Sequence, residues 1–431
     1  MRIESKVLRD PATLLAAVLA AAGLVQTWDL GRRSPGSDFY QFWIVAQVIG
    51  RADVPSIYDE EAHPRLGAEF VRRSFTDDDS ERRRAAAREW QVLEPTATPL
   101  LYSAFRPLGG LDYEQAHLLF RAVSLAALAT GVVAIALLLG HSAAAALMML
   151  AVATVAFRPL KTGVQVGNVN ELQLAGIAAY LWLSSGRDGG RRQAVAGALL
   201  GALVLFKPNL LPALPLLAAS WVLGGRRGKL ALQAAGAAAG GLLALAVTAA
   251  VFGSPAAWTD WLAFMRVFPP AKIPLRFGNV GLSRLAWETM DLRLAPWLGG
   301  LFLGLALACL WAGRPRAEPT GAHDAGRAMA ADTTALSAGC LAYLLSAPLV
   351  WIHYLLLALP AALLLLRDSG EGEPRDDARR VLASLALVAV AVDPVADLLR
   401  IYDMYQQAAL TAAGLAVLFA LTLRELARPR P

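Results

Sequence analysis

The length of its uninterrupted apolar runs constrains this chain most. From Leu232 to Phe252 there is no charged residue. A helix needs about 20 mostly apolar residues to cross the hydrocarbon core of a bilayer. Many other stretches meet or approach that length. Of the 431 residues, 56% are hydrophobic and 17% charged, against roughly 25% charged in a soluble domain. The charges fall in short blocks between the runs. A soluble protein of this size has no interior able to bury them all. The composition therefore predicts an all-α polytopic membrane protein.

The net charge of +6 does not point to nucleic acid, because the basic residues sit in separate inter-helix loops and form no continuous patch. Cys309 and Cys340 lie in apolar segments and show neither CxxC spacing nor a Cys/His zinc pattern, so they read as small apolar residues. Arg2, Lys6 and Arg9 followed by the run Leu14 to Val25 resemble a signal peptide. A retained first helix is the simpler reading, since many apolar spans follow.

Apolar runs and their breaks give about twelve crossings. The first falls near Pro11–Trp28, and a long polar segment follows, about 29–112. Further spans fall near Tyr113–Leu139, Ser142–Phe157, Glu171–Ser184, Ala194–Phe206, Leu210–Leu223 and Leu230–Phe252. The last five lie near Ala295–Trp311, Thr333–Ser346, Leu349–Leu366, Val381–Leu398 and Gln407–Leu423. Residues 1–431 read as one transmembrane domain.

Cytoplasmic loops are enriched in Lys and Arg. With this count, one side collects both termini and Arg187, Arg191, Arg192, Arg226, Arg227, Lys229, Arg314, Arg316, Arg327, Arg367, Arg375, Arg379 and Arg380. Arg2, Lys6, Arg9, Arg424, Arg428 and Arg430 add to it from the ends. The opposite short connections hold only Arg158, Lys161, Lys207 and Arg400. Both termini are therefore expected in the cytoplasm. The first loop carries Arg72, Arg73 and Arg82 to Arg84 yet falls outside, as long loops translocate largely regardless of charge.

Polar groups at the ends of apolar helices often mark function, and here they gather on the non-cytoplasmic side. Ser37 or Asp38 is placed to N-cap a helix reaching about Ile49. Phe39, Phe42, Trp43 and Ala46 share one face of it, which predicts an amphipathic helix at the membrane surface. Asp38 sits at its start, as a cap or as a reactive carboxylate. The loop continues through Ile57-Tyr58-Asp59 to Glu94, a weaker acidic candidate. A second cluster runs from Arg158 to Glu171. Asn168 and Asn170 there offer amides suited to sugar hydroxyls, or form a capped turn. Lys207-Pro208-Asn209 interrupts two short spans; Lys207 either snorkels to headgroups or holds a phosphate. Phe277-Gly278-Asn279 lies in an outer loop with Lys272 and Arg276. In Ser346-Ala347-Pro348…Trp351-Ile352-His353, the intramembrane His353 is a structural or a functional histidine.

These clusters, in this order, resemble the GT-C glycosyltransferases, and most closely glycosyltransferase family 87, which includes polyprenyl-phosphate-mannose-dependent mannosyltransferases. The resemblance rests on Asp38-Phe39-Tyr40 leading to Ile57-Tyr58-Asp59, on Asn168-Val169-Asn170, Lys207-Pro208 and Gly278-Asn279, and on the Ser346-to-His353 stretch. It covers most of the chain. The chain departs from the family pattern at Asn168 and at Val280-Gly281. The resemblance implies a GT-C fold with a long first extracytoplasmic loop carrying the catalytic acid. It implies inverting transfer of a hexose, mannose or arabinose among the candidates, from a polyprenyl-phosphate-sugar donor to a lipid or glycan acceptor at a cell membrane.

A phosphodiester leaves without a proton, so one carboxylate suffices to deprotonate the attacking hydroxyl. On the resemblance that base is Asp38. Lys207 would neutralise the phosphate, and His353 would position the acceptor or bind phosphate. Asn168, Asn170, Asn279 and Tyr40 are candidate substrate contacts. No cofactor and no metal are expected, since the carboxylates Asp38, Asp59 and Glu94 form no dense cluster. A transporter or lipid-linked glycan flippase is the alternative. It would place its site near the midplane, between related halves.

Overall fold

The computed structural model describes residues 10–76, 80–185, 189–268, 274–275, 278–314, 324–367, 374–391, 400 and 403–428. The basic positions Arg2, Lys6, Arg9, Arg187, Lys272, Arg276, Arg316 and Arg430 and the motif residue Phe277 lie outside these residues, as do the side chains of Arg327 and Arg375. Most of what is described is helical, and the β feature among the described residues is one isolated antiparallel bridge between Asn279 and Trp351.

The first long helix, α1 (Pro11–Arg33), starts at Asp10, whose carboxylate accepts from the amides of Ala12 and Thr13. Pro11 occupies the first turn, where its missing N–H costs nothing. Four short helices follow: α2 (Ser37–Val48), α3 (Ala62–Thr76), α4 (Glu81–Glu89) and α5 (Pro99–Phe105). The bundle continues with α6 (Tyr113–Leu138), α7 (Ala143–Ala156), α8 (Arg158–Val166), α9 (Asn170–Ser184), α10 (Gly190–Phe206), α11 (Ala213–Leu223) and α12 (Arg227–Phe252). It closes with α13 (Ala257–Val267), α14 (Leu282–Met290), α15 (Ala295–Ala312), α16 (Asp324–Ser346), α17 (Leu359–Leu366), α18 (Pro374–Ala391) and α19 (Met404–Ala427).

Among the described residues, six helices are long and apolar enough to cross a membrane: α1, α6, α12, α15, Ala328–Ser346 of α16, and α19. Two bent pairs raise the number to eight. Helix α7 meets α8 at 66°, and α10 meets Pro208–Leu223 at 120°. A proline stands at both bends. Pro208 lacks the amide that would continue the helix and pushes the residue before it, Lys207, out of helical backbone, while Pro159 sits in the first turn of α8, where a new helix starts after Phe157. Phe157 and Lys207 are both extended. Large apolar side chains such as Leu14, Val18, Leu242, Leu243, Trp297 and Leu301 stand exposed along these helices, as a lipid-facing surface requires. The chain is a multi-pass membrane protein.

Helices α10 and α12 pack backbone to backbone. A Cβ on Gly236 would lie 2.0 Å from the Ala194 carbonyl oxygen, and one on Gly197 2.1 Å from that of Gln233. Small residues four apart permit this approach, and in lipid it replaces the missing hydrophobic drive.

Helix α2 differs from the amphipathic surface helix the sequence suggests. Phe39, Phe42, Trp43 and Ala46 are at most 5% exposed. The reason is the rest of the long loop. Phe70 of α3, Tyr102 and Phe105 of α5, and Tyr113 and Phe120 of α6 close around these rings in a second core. The aromatic face is spent on protein, not on headgroups. The cap differs as well. Gly36, in the left-handed region (φ 70°), precedes the helix, and Asp38 lies within its first turn.

Candidate active site

The chain reverses between α1 and α2 at Ser34-Pro35-Gly36. Tyr113 Oη donates to the Pro35 carbonyl, and also to that of Gly36 at 3.2 Å. The Gly36 amide donates to the Gln165 carbonyl at 3.2 Å. Trp90 Nε1 donates to the Ser37 carbonyl at 2.6 Å. Three elements thus clamp the turn that presents Asp38.

Facing Asp38 is the corner between α8 and α9. Helix α8 ends at Gly167, whose φ of 72° is left-handed. A Cβ there would also lie 2.7 Å from the Phe39 Cβ, so glycine is required on two counts. The corner delivers Asn168 to the carboxylate. Asn168 Nδ2 donates to Asp38 Oδ2 at 2.6 Å. Asn168 Oδ1 accepts from its neighbour Val169 N at 2.8 Å and from Lys207 Nζ at 3.0 Å. Lys207 Nζ donates also to Asn170 Oδ1 and lies 4.1 Å from the centre of the Tyr354 ring. Asn170 Nδ2 donates to the His353 carbonyl at 2.9 Å. Lys207 reaches this socket because Pro208 ends α10 beside it.

His353 closes the other side. Its Nε2 lies 3.9 Å from Asp38 Oδ2, beyond hydrogen-bond length. That nitrogen is buried and has no hydrogen-bond partner. An oxygen at ordinary hydrogen-bond distance from both atoms fits the separation geometrically.

Five of the seven sequence candidates therefore converge: Asp38, Asn168, Asn170, Lys207 and His353. Two are directed elsewhere. The Tyr40 hydroxyl contacts the Phe70 carbonyl at 3.3 Å and Ser74 Oγ at 3.0 Å, inside the loop core. Asn279 is buried as a stitch. Its Nδ2 donates to the Pro348 carbonyl at 3.0 Å, and its Oδ1 accepts from the amides of Gly281 and Val350 at 3.1 and 3.0 Å. It fixes the strand-like segment that leads to His353. Asp59, on the exposed side of the loop, accepts from the Glu61 amide at 3.1 Å.

The convergence includes residues the sequence reading passed over. Tyr354 supplies the ring under Lys207. Glu171, next to Asn170, is fully buried, and Arg121 and His117 on α6 are buried too. An arginine inside an apolar span was the available signal.

Burial pushes the Asp38 carboxyl up to about 6, against the lowering effects of the Asn168 hydrogen bond and the Lys207 charge. The side chain is nonetheless 26% exposed, so the carboxylate is set deep yet open on one side. At neutral pH it is ionised and able to take a proton. Above that pH its basicity exceeds that of an ordinary carboxylate. Lys207, held by two amide oxygens, has its amine fixed a short step away. Among the described residues, no group of three or more His, Cys, Asp or Glu is placed to hold a metal ion.

No curated protein and no solved structure matches the chain. The model of glycosyltransferase family 87 matches residues 96–342. That segment carries Asn168, Asn170, Lys207 and Asn279, while Asp38, Tyr40 and His353 lie outside it. With more than half of its length inside this match, the chain belongs to glycosyltransferase family 87, and is a membrane enzyme that transfers sugars.

Proposed function

We propose that the enzyme moves a hexose from a polyprenyl-phosphate-sugar donor to a lipid or glycan acceptor, with inversion and with Asp38 as general base. Mannose is the sugar we favour, with arabinose the other candidate that the family resemblance offers. The observation that carries this reading is the array itself. A raised, part-open carboxylate stands 3.9 Å from the unpartnered His353 Nε2 and is joined through Asn168 to Lys207.

In the proposed step the acceptor hydroxyl lies between Asp38 and His353. Its oxygen attacks the anomeric carbon as Asp38 takes its proton. The bond to the phosphate oxygen breaks on the opposite face, and the polyprenyl phosphate leaves as an anion. That leaving group needs no acid. Lys207 offsets the charge it develops. The polyprenyl tail runs between helices, where each buried CH₂ contributes about 0.8 kcal/mol.

The reading places the site on the extracytoplasmic face of a cell membrane, in a GT-C arrangement of about twelve crossings with both termini in the cytoplasm. A buried charge cluster supports that polarity. Asp332 accepts from Trp221 Nε1 at 3.0 Å, Ser184 Oγ at 3.1 Å and Lys229 Nζ at 2.6 Å, and pairs with Arg226 at 3.1 Å. It sits at the far end of α9 from Asn170, about 20 Å away at 1.5 Å per residue, where the basic loop begins.

The test is transfer of radiolabelled mannose from polyprenyl-phosphate mannose by membranes carrying the protein. Label appearing in a glycolipid or glycan supports the reading. Labelled solute crossing sealed vesicles with no donor consumed would favour a transporter instead.

A further inference from the structure

Between α6 and the α8–α9 corner lies a narrow cavity of about 10 Å³, beside Gly167 and Asn168. That is room for about one water molecule. Four buried side chains line it, and each has a polar atom with no hydrogen-bond partner: His117 Nδ1, Arg121 Nε and Nη1, Ser124 Oγ, and both Glu171 carboxylate oxygens. Their exposures are 2%, 6%, 5% and 0%. A guanidinium and a carboxylate thus line the same small space without a hydrogen bond between them. Buried charges left in that condition are strongly destabilising.

Both groups are held in place. The Arg121 guanidinium lies 4.0 Å over the Trp28 ring of α1. The Glu171 carboxylate is pressed against α8, where a Cβ on Gly163 would sit 2.8 Å from Oε1. A water supplies what each lacks, a donor for Glu171 and an acceptor for Arg121, with Ser124 and His117 completing its two to four bonds.

We propose that this cavity is a built site for one water bridging Arg121 to Glu171, and that the bridged pair is a positioning device for the active site. Glu171 is the residue after Asn170, which holds Lys207 and the His353 segment. The cavity wall includes Asn168, which holds Asp38. Fixing Glu171 against α6 therefore fixes the corner from which both asparagines project. The positioning role rests on the reading of Asp38 and Lys207 as the catalytic pair.

Two measurements test it. The first is a density map of the substrate-free protein that resolves ordered water. A peak within hydrogen-bond distance of both Arg121 and Glu171 is expected. No peak, or one appearing only with a sugar-phosphate lipid bound, overturns the water site. The second is a double-mutant cycle of Arg121→Met and Glu171→Gln, read by melting temperature and by steady-state kinetics. Each single variant is expected to lose about tenfold in kcat with the donor KM little changed. The double variant should lose no more than the worse single, because the pair acts as a unit. Losses that multiply, or a fall in melting temperature with kcat intact, overturn the positioning role. If the wild-type protein transfers no sugar, the functional reading fails, while the map and the melting cycle still decide the bridged pair.

Discussion

Asn168 donates its amide to Asp38 Oδ2 at 2.6 Å while its carbonyl oxygen accepts from Lys207 Nζ at 3.0 Å. One neutral side chain thus stands between the Asp38 carboxylate and the Lys207 amine and bonds to both. The carboxylate keeps an open side, and the amine keeps a fixed position. An amide can do this because it offers a donor and an acceptor at once.

The spacing predicts a pH profile. Burial holds the Asp38 carboxyl at about 6, and the base works only when ionised. Transfer is expected to fall as pH drops through about 6, with Asp38 becoming protonated. The Asn168 hydrogen bond lowers that value, so Asn168→Ala is expected to move the acid limb to higher pH. Rates measured across the acid range check both points. A limb left in place by Asn168→Ala contradicts the assignment.

Lys207→Met keeps the length of the stem and removes the charge. Loss of one preorganised charge at a leaving group lowers kcat by about 10²–10³. Detergent melting separates that loss from misfolding. Near-normal kcat in Lys207→Met would leave the lysine a structural tie between Asn168 and Asn170.

The α10–α12 seam predicts a stability effect remote from chemistry. Gly236→Leu places a side chain where the Ala194 carbonyl oxygen already lies 2.0 Å from a Cβ. Overpacking of this kind costs about 1–3 kcal/mol. A melting temperature equal to wild type would show that the helices part without cost.

Topology is open to labelling. Arg88 is exposed on α4 within the long first loop. Arg88→Cys is expected to react with a membrane-impermeant thiol reagent added to intact cells. Protection from outside with reaction after lysis reverses the proposed orientation.

Much of the site was legible in the sequence for one physical reason. In a chain dominated by apolar residues, Asp38, Asn168, Asn170, Lys207 and His353 stand out, because polar groups at the ends of apolar helices are costly. Side-chain direction was not legible. Tyr40 and Asn279 sit in the right motifs, but one turns into the loop core and the other stitches two segments. The burial of α2 was hidden too, since its aromatic face reads the same whether lipid or α3 and α5 cover it. Glu171 looks like an edge residue until α6 and α9 are laid together, and Arg121, though inside an apolar span, has no visible partner in the sequence until then. Prolines at 159 and 208 were visible as breaks, but sequence alone gives no bend angle, and the angles decide how the short helices share a span.

The central claim is that Asp38 removes the acceptor proton. The most direct measurement is sugar transfer by Asp38→Asn, which keeps the shape and removes the base. The account predicts a fall in kcat of about 10²–10⁴, with normal expression and an unchanged melting profile. Full activity in Asp38→Asn would contradict it.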